Sequence, residues 1–267
     1  MKKLLCRLIG LLIIISLTSC GGANNQKGPT LKVGTISGPE TELMEVAKQV
    51  ARDRYQLTLE IIEFSDYSMP NTALNDGSID ANVFQHLPYL RQTINATHYP
   101  LIIVGKTFIY PMGMYTQKNI KLGDLQQGAS VAIPNDPTNE ARALLLMEKA
   151  GLITLGTCNA MTATVNCIHD NPKNLQITSL KAAQLPRSLQ DVDIALINTN
   201  YAMPADLLPH RDAIFLEGPD SLYANVIVVK EKDKNDPRVE ILIKALNSPE
   251  VVEAAKRIFA EEAIAAW

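Results

Sequence analysis

Beyond its first twenty residues this sequence has no apolar run long enough to cross a bilayer, which takes about 20 such residues in a helix. It also has no internal repeat, no heptad pattern and no basic stripe, which excludes repeat solenoids, coiled coils and an electrostatic nucleic-acid surface. A nucleophile elbow, a phosphate loop, an HExxH box and paired zinc ligands are all missing. Asp66 and His86 could be drawn as an acid/base pair, but no serine or cysteine motif accompanies them, so no enzyme, metal or cofactor is expected. Cysteine is scarce, at four residues: Cys6, Cys20, Cys158 and Cys167.

The amino terminus is a targeting segment and stands apart from the fold. Lys2, Lys3 and Arg7 precede an apolar run at 8–17, and the run ends in Leu17-Thr18-Ser19-Cys20, which resembles a bacterial lipoprotein cleavage site. That likeness implies a signal peptide at 1–19 and a lipidated Cys20, with enough acyl chains for stable anchoring. Residues 20–30 are rich in Gly and Asn and read as a flexible tether. The leader carries three of the 25 basic residues, leaving 22 against 28 acidic ones and a formal charge of −6. The expected location is therefore a membrane surface, held by lipid alone, with the body facing the periplasm or cell exterior. Disulfides can form there. Cys158 and Cys167 are nine apart, on opposite sides of any continuous helix. They can pair only if Cys158 lies in the loop before one; two separate buried thiols is the alternative.

From residue 31 the pattern alternates strand and helix: 31–36 strand, 39–54 helix, 57–64 strand, a short helix from Pro70 to Gly77, then a strand at 79–83. This is the signature of a parallel sheet covered on both faces. Extended segments at 101–104 and 108–115, broken by Gly105 and by Pro111-Met112-Gly113, suggest a chain leaving one sheet for another. A second series follows: strand 130–133, helix 137–150, strands at 174–180, 192–197 and 213–215. Strand 223–229 leads back, and helices at 237–247 and 249–260 end the chain. The predicted architecture is two α/β lobes, 31–110 plus 222–267 and 111–221.

Three strand ends carry the candidate ligand groups. Phe84, Gln85 and His86 should lie just past the carboxyl end of a strand, where open α/β sheets bind ligands. Asp136 or Thr138 can cap the helix that carries Arg142, whose planar fork suits a carboxylate; pairing with Glu140 or Glu148 is the alternative. Asn198 and Asn200 end another strand, and Asn225 lies inside an apolar one, where it needs a hydrogen-bond partner from backbone or ligand. A cationic fork, neutral oxygens and aromatic walls together suit a zwitterion.

These stretches also carry a likeness. Asp66-Tyr67 with Pro70-Asn71, the run Asp80 to His86 with Pro88-Tyr89, and Pro134 to Asn139 resemble the methionine-binding lipoprotein family. So do Asn171-Pro172-Lys173-Asn174-Leu175, Gln184 to Ser188 and the terminal Trp267. The resemblance covers residues 31–267. It implies a bilobed type II periplasmic-binding-protein fold, two mixed sheets flanked by helices with a two-strand hinge. It further implies a monomer that binds L-methionine for an ABC permease and its ATPase subunit. By position, Arg142 would hold the ligand carboxylate with Asn225 beside it. Asn198 and the rim near His86 would serve the ammonium, and Tyr67, Phe84, His86 and Tyr89 would wall the thioether; Asn139 falls in a motif as well. Val83 replaces a common alanine, the Cys158/Cys167 segment is usually free of cysteine, and the tail is Ala-rich. Competing expectations are another small amino acid or short peptide in the same fold, or a surface adhesion lipoprotein.

Overall fold

The computed structural model describes residues 29–118, 120–218 and 221–267. The leader and Cys20 lie outside the described residues. The first lobe is built from β1 (Thr30–Ile36), α1 (Pro39–Tyr55), β2 (Thr58–Phe64), α2 (Pro70–Asp76), β3 (Ala81–His86), α3 (Leu87–Thr97) and β4 (Leu101–Ile109). The chain then crosses to β5 (Met112–Tyr115), β6 (Ser130–Pro134), α4 (Pro137–Lys149), β7 (Thr154–Leu155), β8 (Ile168–Asp170), β9 (Gln176–Leu180), α5 (Leu185–Ser188), β10 (Ile194–Asn198), α6 (Thr199–Ala202), α7 (Pro209–Asp212) and β11 (Phe215–Leu216). It returns through β12 (Ala224–Lys230), α8 (Pro237–Leu246), α9 (Pro249–Ile258) and β13 (Ile264–Ala265).

Two mixed sheets result, ordered β13-β4-β12-β3-β1-β2 and β11-β5-β10-β6-β9. In the first, β1 pairs in parallel with β2 and β3, while the returning β12 lies antiparallel between β3 and β4. Apolar residues cover both faces of each sheet. Leu43, Ala47, Leu242 and Val251 pack one face of the first, and Leu74, Leu90 and Val228 the other. The second sheet has Leu144 and Met147 on one side and Leu185 and Ala202 on the other. Burial on both faces explains the near-continuous hydrophobic runs of the central strands.

The structure corrects two sequence readings. Strand β3 does not stop at Val83: Phe84, Gln85 and His86 are its last residues, because β12 continues to pair with it until Asn225 stands opposite His86. Strand β4 is also unbroken at Gly105, which stands opposite Ile227. A Cβ there would lie 3.1 Å from Ile227 Cδ1 and 3.4 Å from Ile243 Cγ1, so the glycine admits a close neighbour and does not end the strand. Pro111 alone breaks the run. The sequence also did not reveal the β7–β8 hairpin or β13, which pairs antiparallel with β4 and sets Trp267 edge-on to Phe108 at 5.1 Å.

Cys158 lies in the loop after β7, and Cys167 closes a 3-10 turn just before β8; the two are joined by a disulfide with Cα atoms 6.1 Å apart. The helix starts follow their side chains. Asp136 accepts from the Asn139 N–H at the head of α4, and Ser248 accepts from the Val251 N–H at the head of α9. Ser248→Ala should cost about 1 kcal/mol of stability, read as a lower urea midpoint with ligand affinity unchanged.

Candidate functional site

Where the two lobes meet, a small cavity of about 30 Å³ is lined by Tyr67, Phe84, His86, Tyr89 and Asn225 from the first lobe's strands, loops and helices, and by Asn139, Arg142, Asn198 and Asn200 from the second. All eight predicted ligand residues therefore border one space. What each can offer a ligand is set by the bonds it already makes.

Arg142, only 4 % exposed, sits on the second turn of α4. Its Nε and Nη2 both donate to the carboxylate of Glu217, and Nη2 also donates to the Tyr110 carbonyl at 2.8 Å. Its face lies over the Tyr223 ring, 4.4 Å from the centroid, a favourable cation–π geometry. The sequence alternatives, Glu140 and Glu148, lie elsewhere: Glu140 accepts from the Val165 N–H and Glu148 from the Leu155 N–H. Tyr110 and Glu217 belong to the two segments that cross between lobes, so one guanidinium clasps both crossings. The edge expected to grip a carboxylate by two parallel bonds is thus spent within the protein. Nη1 makes no hydrogen bond among the described residues and is the edge left for a ligand anion.

His86 ends β3 and caps α3, its Nδ1 accepting from the Tyr89 N–H at 3.2 Å. That fixes the proton on Nε2, which lies 3.3 Å from Asn139 Oδ1. Burial first, and then the Arg142 guanidinium, push the imidazole pKa down to about 3. The ring is neutral, a donor at Nε2 and an acceptor at Nδ1, with both nitrogens already engaged within the protein. Asn139 is engaged at both ends: Nδ2 donates to Asp136, and Oδ1 accepts from Asn198 Nδ2 at 2.9 Å as well as from His86. It ties His86 of one lobe to Asn198 of the other. Asn198 Oδ1 is left buried and without a partner among the described residues.

Asn225 donates Nδ2 to Glu40 at 2.9 Å. Its oxygen and its second Nδ2 hydrogen make no further bond among the described residues, so the side chain can still offer a ligand either an acceptor or a donor. Three of the aromatic residues cluster: Tyr67 and Phe84 are 6.0 Å apart, Phe84 and Tyr89 5.9 Å, and the Tyr89 hydroxyl donates to the Tyr67 carbonyl at 2.9 Å. Tyr201 of the second lobe joins them, 4.9 Å from Tyr67. Behind the cluster, Gln85, Asn71 and Asn82 exchange amide hydrogen bonds in a buried ring, so Gln85 braces Phe84 and His86 from beneath.

Sequence reasoning missed Glu40, Tyr110, Tyr201, Glu217 and Tyr223 as site residues. Tyr201 and Tyr223 belong to stretches already singled out for their asparagines. Glu40 read as an ordinary first-turn acid, and nothing local marks Glu217.

The chain as a whole is similar to known proteins. Over 258 residues the chain is 46% identical to the D-methionine-binding lipoprotein MetQ of Escherichia coli (strain K12), covering 96% of this chain and 95% of that protein. A periplasmic substrate-binding protein of an ABC transporter from Coxiella burnetii superposes with a TM-score of 0.86 at 60% identity, over 88% of this chain and 100% of that one. A nutrient-binding protein from Burkholderia cenocepacia, solved bound to methionine, gives a TM-score of 0.87 at 48% identity, over 89% and 100% of the two chains. The NlpA lipoprotein model matches residues 31–267, and the chain belongs to the NlpA lipoprotein family.

Proposed function

We propose that this protein captures methionine between its two lobes and delivers it to the permease of an ABC importer, an ATPase subunit supplying the energy. The observation that carries this reading is the make-up of one cavity. Arg142 supplies a cation to its lining, Asn198 and Asn200 bring buried oxygens that have no partner among the described residues, and Tyr67, Phe84 and Tyr89 supply aromatic walls, with Tyr201 packed against Tyr67. A carboxylate, an ammonium and a thioether match those three environments, the last through sulfur–aromatic contacts of about 0.3–1.5 kcal/mol each.

A ligand favours the closed arrangement only if it touches both lobes, and these groups come from both. Hinge closure would then exclude water and present a joined surface to the permease. The same reading places the molecule at a membrane through lipid on Cys20; among the described residues no helix is long and apolar enough to cross one. Titration calorimetry on delipidated protein, unfolded and refolded to strip any co-purified ligand, tests the assignment. L-methionine should bind most tightly among the twenty amino acids, with D-methionine measured alongside. No heat with methionine, and a clear isotherm with a different amino acid, would replace the ligand and keep the fold.

A further inference from the structure

Glu40 is the second residue of α1 and only 1 % exposed. It receives two amides from opposite lobes: Asn225 Nδ2 on β12 reaches Oε1 at 2.9 Å, and Asn200 Nδ2 on α6 reaches Oε2 at 2.9 Å. Both asparagines line the cavity. A carboxamide turned half a revolution offers donors where it had offered an acceptor, so asparagine by itself selects neither cation nor anion. An ionised carboxylate accepts only. Both Nδ2 groups donate to Glu40, the arrangement its ionised form favours, and both amide oxygens are thereby turned away from it. Asn200 Oδ1 is buried with no partner among the described residues. Gly38 brings α1 this close to the second lobe: its φ is +122°, and a Cβ there would lie 3.0 Å from Pro204 Cγ.

We infer that Glu40 is a specificity-determining positioning residue, setting the Asn200 and Asn225 oxygens toward the cleft so that the closed site takes an ammonium-bearing ligand and rejects the des-amino acid. The inference rests on the amino-acid-binding reading above and assigns its amine selectivity to one side chain. In Glu40→Gln the new Nε2 is a donor, so one partner must turn its oxygen to it and point an N–H at the ligand amine. Burial pushes the Glu40 pKa up to about 8 against the two amide donations, which favour the charged form. The titratable groups within its field are the phenols of Tyr67, Tyr110 and Tyr201, each raised chiefly by burial and so neutral, and Arg142 lines the same cavity. An ammonium beside those oxygens favours ionised Glu40, so binding sheds a proton.

Calorimetry at pH 7 with L-methionine and with 4-(methylthio)butanoate, each in two buffers of different ionisation enthalpy, tests this. Glu40→Gln should weaken methionine roughly ten- to a hundredfold, the range of a hydrogen bond to a charged group, and the des-amino acid by less than about threefold. Wild-type protein should release a proton fraction with methionine and none with the des-amino acid. Equal losses for the two ligands would mean a merely structural Glu40 and overturn the inference, as would unchanged methionine affinity. Should the variant fail to fold, Asn200→Ala decides: it should weaken methionine more than the des-amino acid, and equal losses there would overturn the inference as well. Wild-type protein that ignores methionine yet prefers other amino acids to their des-amino forms would overturn the methionine reading and uphold Glu40. Binding of neither class would overturn both.

Discussion

Arg142→Ala should lower methionine affinity by about 2–5 kcal/mol, ~30-fold or more, as expected for removing one member of a buried charge pair. The site makes this loss composite. The substitution removes the guanidinium from the cavity lining, and with it the clasp between the Tyr110 carbonyl and Glu217 on the two crossing segments. It also strands Glu217, whose side chain is 9% exposed. An uncompensated buried charge costs about 3–5 kcal/mol of stability, so the single variant should unfold at lower denaturant as well as bind poorly. A second variant separates the two effects. Arg142→Met with Glu217→Gln removes both charges, fills most of the volume and should recover much of the stability. Its methionine affinity should stay low. Recovery of affinity together with stability in the double variant would show that Arg142 only supports the hinge and that the ligand carboxylate is held elsewhere.

The pattern of residues conveyed the lobes better than it conveyed the chemistry between them. Strand–helix alternation and the proline starts of α3, α4, α8 and α9 are local properties, and the elements they announce are present within a few residues. Element ends depended on long-range pairing and were less legible. The end of β3 at His86 is set by β12, some 140 positions later in the chain. Arg142 was visible because a cation on the first turns of a helix with a Pro-Asn-Asp-Pro entry is conspicuous. Its partner Glu217 was not, because the pairing spans 75 residues and no short motif encodes it. Glu40 shows the deeper reason. An acid in the first turn of a helix is ordinarily a solvated charge favoured by the dipole, whereas Glu40 is buried against Asn225 of one lobe and Asn200 of the other. Once buried, it takes a hydrogen bond from Asn225, 185 residues further along the chain, a pairing that no local pattern announces.

Two buried groups with opposite shifts give the ligand-free protein a characteristic pH profile. Glu40 keeps its proton in the folded state up to about pH 8, against 4.5 when unfolded. Its contribution is complete below pH 4.5 and is lost as pH rises toward 8. His86 refuses a proton in the folded state down to about pH 3, against 6.5 when unfolded. Its contribution is complete above pH 6.5 and is lost as pH falls toward 3. Each slope is about 1.4 kcal/mol per pH unit. Between pH 4.5 and 6.5 the two slopes oppose and cancel, so unfolding free energy should be flat there. From pH 6.5 to 8 only Glu40 acts, and stability should fall by roughly 2 kcal/mol. Below pH 4.5 only His86 of this pair acts, and other carboxylates, Asp193 held down to about 2 among them, add to the acid loss. Urea midpoints of refolded protein across pH 4 to 9 measure the profile. Glu40→Gln should abolish the alkaline fall and replace the plateau by a rise that continues to about pH 6.5, since His86 then acts unopposed. Saturating methionine should shrink the same alkaline arm, because a ligand amine beside the Asn200 and Asn225 oxygens favours the ionised carboxylate. An alkaline arm that persists unchanged in Glu40→Gln would assign the titration to another group and leave Glu40 charged at neutral pH before any ligand arrives.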